Sequence, residues 1–304
     1  MTPLSHDAPV RQLDHDWFPF RISTEATAPA AECSLIVSLV VVLQHFPIAA
    51  KAPFPLPGAL DRPYPDLGNY THRESGLGPA LWRVTDEIEA CGVPATIVVE
   101  RQALPWLSDV DAVLRNPRHC VVAGGEHAVC VHSDDMGLAA ERQIIFDCLR
   151  DVEAMAGRKV HGWRSPYCSQ SRATLRLLAE AGLRYVGDFS NDDRPFEISA
   201  GGRSLLAVPM NHFYSDLHFV HACRQSVSEY ASATIRAAEW LAAERHRAPA
   251  VLSLVVHPWI MGATHRVATF VGLLERLQEM PGIQFMNSDE ISASTQSALG
   301  SAKR

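Results

Sequence analysis

The chain has 304 residues, 47% of them hydrophobic, and carries a formal net charge of −7. Length and apolar content suit one large α/β domain or two smaller ones with buried cores. The acidic balance, with no Lys/Arg run, argues against nucleic acid as a partner.

Residues 1–30 are polar, Pro-dotted and aperiodic, and they read as an N-terminal arm. Trp17, Phe18 and Phe20 are its expected anchors against the domain or a neighbouring subunit. The run 34–43, SLIVSLVVVL, is unbroken and β-branched, which predicts a strand buried on both faces. A long Pro-rich loop, 47–69, follows it, and loops of that length usually cover or bind something. Helical spacing predicts a helix over 81–90, opened by Pro79 and stopped by Gly92, before the buried strand 95–100. Next come an expected helix over 104–116, strands over 120–123 and 128–131, and a helix over 137–156. The stretch His161 to Glu197 reads as strand, polar loop, helix, strand, polar loop. Pro166 bars helix at Ser165, and Gly182 ends the apolar series Leu175, Leu177, Leu178, Ala181. The remaining expectations are strand 204–208, loop 211–216, helix 228–245, strand 251–256, helix 266–280 and strand 283–286. Strand and helix alternate throughout with no linker, so a single, mainly parallel α/β unit is expected.

The seven cysteines show no CxxC spacing and cannot all pair, which suits a reducing compartment. The first 20 residues lack a signal-peptide core, and the run 34–43 is too short to span a bilayer. A cytoplasmic protein with no membrane partner is expected.

In a parallel α/β unit the working groups gather just after the strands. Gln44 and His45, His132, Arg164, the group Asp188/Asn191/Asp192/Asp193, and His257 all follow buried runs. Any one histidine is more often structural than chemical; several in equivalent places, beside an arginine and acids, point to a site.

The motifs Arg164-Ser165-Pro166, Leu177 to Tyr185 and Asn191 to Pro195 resemble the Arg-x-Pro, LLAEAGxxY and NDDxP segments of the polysaccharide deacetylase (NodB-homology) family. The likeness is greatest to its allantoinase-like, small-molecule branch, and it extends more weakly from about Ser34 to Ile291. It implies a distorted, seven-stranded (β/α) barrel occupying 31–304. Glu126 to His132 is similar to the family's GHEIAxH segment, whose last histidine commonly binds a divalent metal. Met136 stands where that motif's second histidine would fall, and Leu43-Gln44 stands where the first strand normally presents acids. Leu77 and Gly78 replace the Asn and Arg of a third motif, spread over Arg73 to Arg83. His257 matches the late LHP motif.

A thioether and an amide replace harder donors poorly, so no cofactor is expected, zinc remaining an alternative with His132 and Asp135 as ligands. The expected function is hydrolysis of a non-peptide C–N bond in a small amide, cyclic ureide or imide, or N-acyl compound. His132, Arg164, His257, Asp135 and Asp192 are the candidate catalytic residues. Gln44, His45, Glu74, Trp163, Asp188, Asp193 and Trp259 are the candidate substrate contacts. His257 is the natural acid; His132 or an acid from 134–135 or 188–193 is the natural base. A degenerate barrel acting as a binding protein, and a metal-dependent carbohydrate N-deacetylase with reassigned ligands, are the alternatives. The partner is a small-molecule substrate, and a homo-oligomer is expected.

Overall fold

The computed structural model describes residues 11–12, 19–21, 33–48, 65–244 and 249–302. The central strand is β3 (Leu35–Leu43), the apolar run of the sequence, and every residue from Val37 to Leu43 is buried. β10 (Ala250–Val256) lies parallel on one side of it; on the other, β4 (Ala95–Val99) pairs with its second half and β11 (Ile283–Phe285) with its first. The sheet continues in parallel through β5 (Cys120–Ala123), β6 (Gly162–Trp163), β7 (Tyr185–Val186) and β9 (Arg203–Ala207). The path β9-β7-β6-β5-β4-β3-β10 is therefore seven parallel strands, as expected for the barrel.

Between β9 and β10 the sheet does not pair. The gap is bridged by Val251 N–H on the Asp193 carbonyl at 2.7 Å and Asn211 N–H on Ser253 Oγ at 2.7 Å. The antiparallel strand β8 (Phe196–Ala200) was not expected. Its alternation of buried and open positions is that of a half-buried strand, and it turns into β9 through Gly201 and Gly202, both at positive φ. β2 (Pro19–Arg21) extends this edge, with Phe20 opposite Ile198, and β1 (Arg11–Gln12) pairs with β2. Trp17 and Phe18 lie outside the described residues, as does 49–64 of the Pro-rich loop.

Helices pack around the sheet: α2 (Pro79–Cys91), α4 (Leu138–Ala156), α5 (Thr174–Glu180), α6 (Val227–Ala243) and α8 (Val267–Gln278). α2 opens on Pro79 and ends on Gly92 at φ 69°, the left-handed cap that its sequence predicts. The helix expected over 104–116 is instead two 3-10 turns, Arg101–Trp106 and Ser108–Val110, and the short α3 (Asp111–Arg115), because Pro105 supplies no N–H. The end of the Pro-rich loop is helical: α1 (Leu67–Glu74) starts where Asp66 accepts the Asn69 N–H at 3.1 Å. Two further helices, α7 (Pro258–Met261) and α9 (Ser288–Ala302), were not expected. Ala128–Val131 is no strand: Ala128 N–H goes to the His45 carbonyl and Cys130 N–H to His127, which folds the segment into a turn. Among the described residues no helix is long and apolar enough to cross a membrane.

Candidate active site

Strand register sets one level at the C-terminal end of the sheet. Leu43 pairs with Val99, Val99 with Ala123, Ala123 with Trp163, Trp163 with Val186, and Val186 with Ala207. The residues one step beyond are Gln44, Glu100, Gly124, Arg164, Gly187 and Val208. Of the polar ones, Gln44, Glu100 and Arg164 are all buried, with Glu100 only 1% exposed. His257 directly follows β10, and His132 hangs from the long loop after β5.

Both histidines are pinned by carboxylates. His257 Nδ1 lies 2.6 Å from Asp216 Oδ1, while its own backbone N–H donates to Asp216 Oδ2 at 2.8 Å. His132 Nδ1 lies 2.9 Å from Glu141 Oε1, and Glu141 also accepts from the hydroxyls of Ser171 and Thr174. Both carboxylates are buried. A carboxylate on Nδ1 fixes that nitrogen as the protonated one and turns Nε2 toward chemistry. Nε2 of His132 is buried with no hydrogen-bond partner among the described residues. Gly125 (φ +87°) makes the room for it: a Cβ there would meet Pro166 at 2.8 Å and reach 3.8 Å from His132 Nε2. Trp163 steadies the ring edge-on at 5.7 Å and donates its own N–H to Ser165 Oγ at 2.8 Å.

Arg164 is buried, and its Nε has no partner among the described residues. Its charge acts on Glu100, Asp188 and His212. Asp188 accepts the Ser165 N–H at 2.8 Å and is held by the Gln170 amide. Burial pushes its carboxyl up to about 6, against the Ser165 bonds and the Arg164 charge. Burial likewise lowers His212 to about 4, helped by the charges of Arg164, His257 and His218. The backbone bends sharply beside Arg164, with Tyr167 at φ 55° and Cys168 at φ 54°. Non-glycine residues held there are strained, and such strain concentrates at working sites.

Trp259 closes another part of this end. Its indole N–H reaches Gln44 Oε1 at 3.3 Å, and its ring meets Phe46, His72 and His221 edge-on, with the Arg73 guanidinium 5.9 Å from its centroid. Gly76 permits the approach, since a Cβ there would lie 2.8 Å from the Trp259 backbone and Cβ. His45 stacks on Trp106 at 4.8 Å.

Four of the expected residues are committed elsewhere. Asp135 is exposed on the 3-10 turn Asp134–Met136, whose Asp134 pairs with Arg172 at 2.7 Å. Asp192 folds onto Arg194, accepting its backbone N–H at 3.0 Å and its side chain at 2.9 Å. The carboxylate of Asp193 is on an exposed residue whose carbonyl ties the loop to β10. Glu74 ends α1, at 3.5 Å from the Tyr70 hydroxyl.

Glu141 and Glu100 were missed by sequence reasoning, and Asp216 entered it as the end of the polar loop 211–216. Glu141 had a signal: it falls on the same helical stripe as Ile145, Cys148 and Val152, an acid on an apolar face. Glu100 had another, as the one acid closing an otherwise apolar buried strand.

These residues fit a bound divalent metal poorly. His132 offers one imidazole, but Asp135 points from an exposed turn, Met136 offers sulfur, and Gln44 is bonded to Trp259. Among the described residues no cluster of three His, Cys, Asp or Glu side chains is placed to hold an ion.

No family model matches the chain, and no curated protein matches its sequence. The three-dimensional likeness is extensive. PuuE allantoinase superposes with a TM-score of 0.78 at 19% identity, over 90% of this chain and 94% of that one. The fold is that of the polysaccharide deacetylases. A probable polysaccharide deacetylase from Pseudomonas aeruginosa PAO1 gives the same TM-score at 18% identity, over 88% of this chain and 93% of its own. At these identities the likeness is one of fold, and it agrees with the barrel expected from the Arg164-Ser165-Pro166 and Asn191 to Pro195 motifs.

Proposed function

We propose that this chain hydrolyses a carbon–nitrogen bond, other than a peptide bond, in a small amide, cyclic ureide or imide, or N-acyl compound. The observation that carries the reading is the pair of buried histidine–carboxylate couples, His132–Glu141 and His257–Asp216. Holding two imidazoles in one tautomer, one directly after β10 and one in the loop after β5, serves proton transfer, and packing alone gives no reason for it.

Cleaving an unactivated C–N bond requires an oriented water, a counter-charge for the carbonyl oxygen, and a proton for the leaving nitrogen. His257, whose Nδ1–H is held by Asp216, carries a second proton on Nε2 as the imidazolium and supplies that proton to the nitrogen. His132 orients the attacking water through its buried Nε2. Arg164, whose Nε is buried with no partner among the described residues, is the group that meets the developing oxyanion. The allantoinase among the structural neighbours supports a small cyclic ureide as the first compound class to test.

The test is a substrate scan of hydantoins, dihydropyrimidines, allantoin, cyclic imides and N-acetyl sugars. Turnover of at least one small amide is expected; if none turns over, catalysis gives way to a binding role. Arg164→Lys is expected to lower kcat by about 10²–10³-fold, since an ammonium cannot reproduce a planar, multiply donating guanidinium. Steady-state kinetics with wild-type-like activity in that variant would remove Arg164 from the mechanism.

Because the described residues at the site fall short of a three-ligand donor set, EDTA is expected to leave activity and Tm nearly unchanged. Activity lost to chelator and restored by a divalent ion would show that other residues assemble a site.

A further inference from the structure

We infer that Glu100, at the end of β4, is the carboxylate that takes the proton of the attacking water, in the place beside Gln44 that β3 leaves without an acid. The inference rests on the hydrolase reading and adds its general base.

The strand register puts Glu100 there. Leu43 pairs with Val99, so Gln44 and Glu100 emerge side by side, and the Glu100 N–H goes to the Leu43 carbonyl at 3.2 Å. On the same level, the next strand contributes Gly124 and the one after it Arg164. Glu100 and Arg164 are thus two strands apart, about 10 Å between backbones, and the strand between them presents Gly124 at this level. The Arg164 charge acts on Glu100 across that distance.

A structural staple does not account for a carboxylate at this place. Glu100 Oε2 accepts the His45 N–H at 2.7 Å, and the nearby Gln44 side chain and Ala128 backbone, whose N–H goes to the His45 carbonyl, also favour its ionised form. All of these are neutral, and a glutamine carbonyl would accept from them without burying a charge. A buried carboxylate held by neutral donors is costly to folding; its use is to exchange a proton. The titratable and charged groups around it are Arg164 at the end of β6, Tyr167 in the following turn, Cys130 in the loop after β5, Cys148 on α4 and His45 after β3. Burial drives the Glu100 carboxyl well above its ordinary range, and the hydrogen bonds with the Arg164 charge pull the other way. A carboxylate so raised is a stronger base than a solvated one.

The step balances. Water oxygen bonds to the carbonyl carbon as its proton passes to Glu100 and the carbonyl π pair moves to oxygen beside Arg164. The carbonyl re-forms, the C–N bond breaks with its electron pair going to nitrogen, and nitrogen takes a proton from His257. One proton then moves from Glu100 to His257 through solvent, restoring both groups.

The decisive variant is Glu100→Gln. In a wild type active on at least one amide, kcat is expected to fall by about 10²–10⁴-fold with KM little changed. The acid limb of the kcat profile disappears with the base, and Gln44→Glu in the Glu100→Gln background restores part of the lost rate. Stability gives a second readout. A folded pKa above the unfolded one makes wild-type stability fall as pH rises toward the folded value, so the Tm advantage of Glu100→Gln widens from pH 4.5 upward, a starting point set by the unfolded value of about 4.3. Unchanged kcat in Glu100→Gln, or a lost rate with the acid limb intact, overturns the assignment alone. A wild type inert on every amide overturns the hydrolase reading, and the assignment falls with it.

Discussion

Replacing His257 with alanine is expected to lower kcat by about 10²–10⁴-fold while substrate binding stays close to wild type. His257 is 1% exposed, and its ring is clamped by Asp216 at 2.6 Å. Removing it takes away the proton donor for the leaving nitrogen and also strips Asp216 of one of its two donors among the described residues. A buried carboxylate left with one N–H weakens the fold, so the alanine variant mixes two effects. His257→Asn separates them. The asparagine amide N–H falls near the position of Nδ1 and keeps Asp216 paired, but nothing reaches the position of Nε2. Stopped or steady-state kinetics on both variants, with Tm measured alongside, decide the point. A folded His257→Asn protein that retains wild-type kcat would take His257 out of proton transfer.

The alternation of buried strands and amphipathic helices was legible because each central strand, such as SLIVSLVVVL, is apolar on both faces and bounded by turn residues. β8 was not, because the acidic turn before it masks a five-residue strand whose pattern only pays attention to one buried face. Ala128–Val131 misled in the opposite direction. Its β-branched residues suit a strand, yet two backbone hydrogen bonds to His45 and His127 curl it into a turn. At the site, the residues that follow strands in sequence were visible: Gln44, Arg164, Asp188 and His257. Their carboxylate partners were harder to see, because Glu141 and Asp216 come from neither a strand end nor a local motif. Glu141 is nine positions beyond His132 on a helix, and Asp216 is 41 positions before His257. Pairings at that separation are set by how a helix and a loop dock on the sheet, which local periodicity does not encode.

The largest expected loss of stability is at Glu141. The carboxylate is 1% exposed and accepts from His132 Nδ1 and from the hydroxyls of Ser171 and Thr174. It thereby ties α4 to the His132 loop and to the start of α5. Glu141→Leu leaves those donors buried without an acceptor, and a cost of about 3–5 kcal/mol is expected from denaturant unfolding at pH 7. Glu141→Gln keeps an acceptor oxygen and is expected to lose less. Burial works against the ionised carboxylate, but the bonds from His132, Ser171 and Thr174 outweigh it and hold the group below its ordinary range. A depressed folded pKa contributes stability that is present above the unfolded value and lost as pH falls through the folded one. The wild type is therefore expected to weaken below about pH 4 by more than Glu141→Gln does. Parallel stability–pH curves for the two proteins would show that Glu141 is not the ionised anchor of the His132 loop.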